Sequence, residues 1–135
     1  MNNHEALQKA VFEALSQDTG LAALIGAARV YDDVPPGTHP PYLVFADSSE
    51  LDWSTGTEEG GEIRFAVEIW TAHRGRRQAA AIAVSVRDAL AGIDTLEAPF
   101  HLVNLRFVSA RFARDQQTEY FRGLLRFRAV VEGAE

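Results

Sequence analysis

Apolar positions along the chain switch between two periods, and the switches mark the elements. Between residues 4 and 17, Leu7, Ala10, Val11, Ala14 and Leu15 recur every three or four residues and predict an amphipathic helix. Gly20 breaks the stripe. Leu21, Leu24 and Ile25 then predict one further short turn of helix, ended by Gly26. Arg29-Val30-Tyr31 is a short apolar-led piece. Val34 to Pro41 carries four prolines, which exclude a helix or a central strand there. Tyr42 to Ala46 predicts a short strand. From Glu62 to Thr71, Ile63, Phe65, Val67 and Ile69 alternate with Glu62, Arg64, Ala66 and Glu68, the period of a half-buried strand. From Arg77 to Leu90 the helical period returns in Ala79, Ile82, Ala83, Val86 and Leu90, with Gly92 placed to cap it.

The last third predicts two strands. In His101 to Arg114 the apolar set begins as Val103, Leu105, Phe107 and resumes as Val108, Ala110, Phe112, a parity change that predicts a bulge near Phe107. Asp115-Gln116-Gln117 supplies a turn. From Thr118 to Val131, Phe121, Gly123, Leu125, Phe127, Ala129 and Val131 alternate with Arg122, Leu124, Arg126, Arg128 and Val130. A short connection makes the two strands an antiparallel hairpin. Residues 47–61 hold five acids, no base and three glycines, and are expected to form a long exposed loop or the tip of a hairpin. The order α-β-β-α-β-β predicts an α+β fold in one domain spanning 1–135. About four mostly antiparallel strands carry two helices on one apolar face.

Composition narrows the chemistry. The chain of 135 residues has no cysteine, which excludes disulfides, thiolate metal sites and cysteine nucleophiles. No stretch of about 18 apolar residues occurs. The N-terminus lacks a signal-peptide pattern, so synthesis in a cytoplasm with no membrane partner is expected. His4, His39, His73 and His101 fall in four different places and none pairs at i,i+4, so no metal or cofactor is expected. There is no Gly-x-Ser-x-Gly elbow and no phosphate-cradling loop. Asp32-Asp33 and Glu58-Glu59 are carboxylate pairs, but neighbours on an extended chain point in opposite directions. No catalytic residue is therefore assigned. An enzymatic or ligand-binding alternative requires Asp32, Asp33 and His39 to meet in a pocket beside the proline stretch.

Charge is the most informative feature. Thirteen basic residues, only Lys9 of them a lysine, face nineteen acids, for a formal net charge of −6. That balance excludes a free-standing nucleic-acid binder. The arginines are nonetheless patterned. Arg122, Arg126 and Arg128 share one parity, while Arg64 and Arg106 take the polar parity of their own strands beside Glu62 and Glu68. This face is either solvated, with cross-strand Arg–Glu pairs, or a subunit contact or ring lumen facing nucleic acid. Arg74, Arg76 and Arg77 precede a helix, where the dipole disfavours them, and so suggest an outside partner. Trp53, among Asp52, Glu58 and Glu59, and Trp70, on the polar parity of its strand, are candidate interface anchors.

The order of several soft patterns resembles the tail-terminator, or tail-completion, proteins of long-tailed phages, prophages and gene transfer agents. They are Leu21-Ala22-Ala23-Leu24-Ile25-Gly26, Arg29-Val30-Tyr31-Asp32-Asp33-Val34-Pro35 leading to Pro40-Pro41-Tyr42-Leu43-Val44, and Phe65 to Thr71. The helix with Ala81-Ile82-Ala83, Val86 and Leu90 follows, then the paired strands 102–114 and 118–131 around Asp115 and Gly123. The arginine-rich, lysine-poor composition suits a GC-rich host and the gene-transfer-agent branch. The resemblance implies an α/β structural subunit without catalytic residues. Such subunits form a hexameric ring on the tail tube that stops tube polymerisation and joins the tail to the head connector or stopper. DNA passes through the lumen as cargo. The loop 47–61 and the Arg74–Arg77 segment are the expected contacts with neighbouring subunits or with tube and connector.

Overall fold

The first apolar stripe folds as α1 (Asn3–Gln17), in a computed structural model that describes residues 1–54, 59–72 and 74–133. Asn2 caps it by accepting the Glu5 amide at 2.8 Å, and Leu7, Val11 and Leu15 face the core. Asp18 ends α1 and caps the short α2 (Thr19–Ile25) through the Leu21 amide. The chain continues through β1 (Val30–Tyr31), β2 (Tyr42–Asp52), β3 (Glu59–Thr71), α3 (Arg76–Ala91), β4 (His101–Arg114) and β5 (Phe121–Gly133). No described helix is long and apolar enough to cross a membrane.

The strands form one sheet in the order β1-β2-β3-β5-β4, antiparallel except for the β1–β2 pair. All three helices contribute to one core with the inward side chains of the sheet, among them Leu43, Ile63, Phe65, Ile69, Leu125 and Phe127. The α+β class holds, with five strands and three helices among the described residues where about four and two were expected. The added strand is Val30–Tyr31, pairing in parallel with Leu43 and Val44. The third helix is the short turn expected from Leu21, Leu24 and Ile25, but it starts at Thr19, so the break falls at Asp18 and Gly20 lies inside the helix.

Two further differences have local causes. Of the two alternatives for residues 47–61 the hairpin holds, but its arms reach further than expected, because Ser48 to Asp52 pair with Phe65 to Gly61 of β3. Backbone pairing carries these polar residues, whose own strand propensity is low. The expected bulge lies between Phe107 and Ser109, and a second lies between Leu102 and Asn104. Val103 and Val108 are the extra residues and point to solvent, whereas Leu102, Leu105, Phe107, Ala110 and Phe112 share the inward register with β5. A β-carbon on Gly123 would sit 2.9 Å from the Phe112 ring. The glycine thus leaves room for that ring against the neighbouring strand.

Candidate functional site

On the side away from the helices, strand register aligns what the sequence had only placed on a common face. Arg64, Arg128 and Arg106 stand directly opposite one another on β3, β5 and β4. Immediately inward, Phe65, Phe127 and Phe107 form the matching row. Phe65 stacks on Phe127 at 5.3 Å between centroids, and Phe107 meets it edge-on at 5.8 Å. One backbone register therefore aligns both the aromatic row in the core and the arginine row on the surface. Arg126 and Arg122 continue outward along β5. Arg111, which the sequence reading did not single out, joins them opposite Leu124. Its signal was the changed parity of β4 beyond the bulge. Six arginines share this face with Glu62, Glu68 and Glu132, on a chain of formal net charge −6.

Like charges directly opposite one another repel, and two carboxylates offset part of that repulsion. Glu62 is only 5% exposed; one oxygen accepts from Arg64 Nε at 2.8 Å and the other from Arg128 Nη2 at 2.7 Å. Glu68 accepts from Trp70 Nε1 at 3.0 Å and from Arg122 Nη1 at 3.4 Å. Trp70 also stacks on Tyr42, with Arg122 5.9 Å from its ring. Arg128 lies 5.2 Å from the ring of Trp53, which stays exposed. Among the described residues, Arg106, Arg111 and Arg126 make no ion pair.

The hydrogen bond from Arg64, then that from Arg128, hold the Glu62 carboxyl below the usual carboxylate range. A carboxyl with a depressed folded pKa stabilises the fold above its unfolded value. The stabilisation is lost as pH falls through the folded value. Glu62→Gln is therefore expected to melt below the parent at pH 7, with the gap closing as the pH drops below about 4. Thermal melts at several pH values check this. A gap that stays constant down to pH 3 would remove charge from the explanation.

The two expected contact segments lie at opposite ends of the sheet. Thirteen-residue β3 separates them by roughly 40 Å. At one end Asp52 accepts from the Ser54 hydroxyl at 2.6 Å and amide at 2.9 Å, which lowers its pKa, and the Trp53 amide donates to the Gly60 carbonyl at 2.8 Å. Glu58 lies outside the described residues, and Glu59 begins β3. At the other end Gly75 caps α3 without a side-chain bond. Arg74 and Arg77 are exposed there, and Arg76 places its guanidinium 4.7 Å from the centre of the Phe121 ring.

The residues of the enzymatic alternative do not converge. Asp32 accepts from Gln8 Nε2 at 2.9 Å, and with exposed Asp33 it borders an open groove beside α1. His39 is not part of that groove; its main-chain carbonyl accepts from the Arg29 guanidinium.

A family described as "Tail completion protein gp17" matches this chain over residues 9–132. The chain belongs to that family. One chain of a solved structure titled "Virion of native gene transfer agent (GTA) particle" is 38% identical, with a TM-score of 0.87 over 97% of this chain and 98% of that one. Among curated proteins no match is found. The tail-completion assignment, read first from the order of motifs, agrees with a structural protein that is not an enzyme. The surfaces of this family member, and not a pocket, are thus where its function is to be sought.

Proposed function

We propose that this tail-completion subunit closes into a ring, a hexamer by the family resemblance, at the junction of tail and head in a phage-like or gene-transfer-agent particle. There it ends tail-tube growth and presents a surface to the head connector or stopper, and DNA crosses its lumen during delivery. The observation that carries this reading is the arginine face. All three helices cover the other side of the sheet, so the basic side is free to be turned inward. Arg64, Arg106, Arg122, Arg126 and Arg128 then face the lumen, together with Arg111. Glu62 and Glu68 already bind part of that charge. The residual attraction for phosphate is weak and non-specific, which suits passage better than capture.

With the strands running along the ring axis, the two sheet ends face the two axial neighbours. The Asp52–Trp53 end offers acid and an aromatic anchor, and the Arg74, Arg76 and Arg77 end offers base. Trp70 lies within the lumen face. Electron microscopy of particles assembled without this subunit tests the proposal. Tails of uncontrolled length, or tails detached from heads, are expected. Attached tails of normal length would overturn it.

A further inference from the structure

A closed ring of identical copies is a heterologous assembly in which each subunit offers two different patches that fit each other. If the arginine face is inward and the sheet ends are axial, those patches are the two lateral edges of the sheet. The edges are unlike, and they complement each other. At the β1 edge, α1 and β1 flank an open groove in which Phe12 is 41% exposed next to Tyr31. Its free charge is acidic. Lys9 is engaged with Glu97 at 2.7 Å, whereas Asp33 makes no ion pair among the described residues. At the β4 edge, a groove of about 390 Å³ runs between α3 and β4. Leu105 and Phe107 line it, Val84 stands on its lip at 59% exposure, and Arg87 lies 3.7 Å from the Phe107 ring centre. Among the described residues Arg87 has no carboxylate partner, and Asp88 is the acid in that groove.

We infer that neighbouring copies of this chain meet edge to edge, the α1–β1 rim of one seating Phe12 and Asp33 in the α3–β4 groove of the next, against Val84 and Arg87. The contact is made through side chains. A continuous intersubunit sheet is disfavoured, because two bulges interrupt the free edge of β4 and β1 has only two residues. The inference rests on the ring reading and adds to it which surfaces close the ring.

The cysteine-free chain makes the test direct. Particles are assembled with Phe12→Cys/Val84→Cys and treated with a short bis-maleimide. A ladder of covalent multimers ending at the ring number is expected, with nothing above dimer from either single variant. Asp52→Cys/Arg77→Cys serves as the end-to-end comparison. A ladder from that pair alone, or no Phe12–Val84 ladder from a subunit whose native mass is that of a ring, overturns the edge contact and leaves the ring standing. A native mass of one copy, in solution and per particle, overturns both. As a check independent of cysteine, Asp33→Arg is expected to weaken assembly at least tenfold. Combining it with Arg87→Glu should restore most of the loss. Failure of Asp33→Arg to weaken assembly, or of the swap to restore it, counts against this contact.

Discussion

Phe127→Ala is expected to cost about 3–5 kcal/mol of folding stability, the range for removing a large buried ring. Phe127 lies on β5, inside the sheet between β3 and β4, and its ring contacts Phe65 on one side and Phe107 on the other. Alanine removes both ring contacts and leaves a void beneath α3 that the paired strands cannot close. Phe127→Leu keeps most of the volume and should cost only about 1–2 kcal/mol. Urea denaturation of the two variants measures the difference. A loss under about 1 kcal/mol for alanine would mean that the aromatic row does not organise the sheet. The effect reaches the surface as well, because the same three register positions align Arg64, Arg128 and Arg106 one residue away.

Gly75→Ala is the second large effect. A β-carbon there would lie 2.5 Å from the Thr71 β-carbon, closer still to its hydroxyl oxygen, and 2.8 Å from the Ala72 carbonyl oxygen. Thr71 cannot step aside. It is fully buried, β-branched, and its hydroxyl donates to the Gly75 carbonyl at 3.1 Å and lies 3.4 Å from that of Phe121. Relieving the clash must shift the entry to α3 or give up those bonds, for a loss of about 3 kcal/mol. For a chain of this length that corresponds to a melting point lower by on the order of 10 °C. The decisive measurement is a double-mutant cycle with Thr71→Ala. If the loss is the same in both backgrounds, the clash is not its cause.

How far the sequence reveals this molecule depends on the range of the interaction. Periodicity is local, and it located α1, α3, β3 and β5 nearly to their ends, because each has a single dominant face. It also placed the bulge at Phe107, since one extra residue flips the parity of everything beyond it. It did not reveal that Ser48 to Asp52 form a strand, because their partner, Phe65 to Gly61, imposes that conformation from across a hairpin. Nor could it show β1, two residues long and paired in parallel with residues beyond the proline stretch. The arginine face was legible in the same way: alternation says which side of a strand Arg128 occupies. That Arg64 and Arg106 flank it at one level is a matter of non-local register. The same register brings Glu62 between Arg64 and Arg128, so the strength of the pairing was hidden even though its members were named.

The three bulges have a geometric consequence. One lies in β2 between Phe45 and Ser48 and two lie in β4, while the β3–β5 pair between them keeps unbroken register. Over their paired spans β2 and β4 therefore each carry more chain than the central strand they pair with, by up to about 3.3 Å per added residue. At each bulge the strand that carries the extra residue bends and twists more strongly than its unbulged partner. In the ring proposed above, a face twisted in this way would meet the bore obliquely. A straight rod passing through would touch each copy along a slanted line, and not over its whole face.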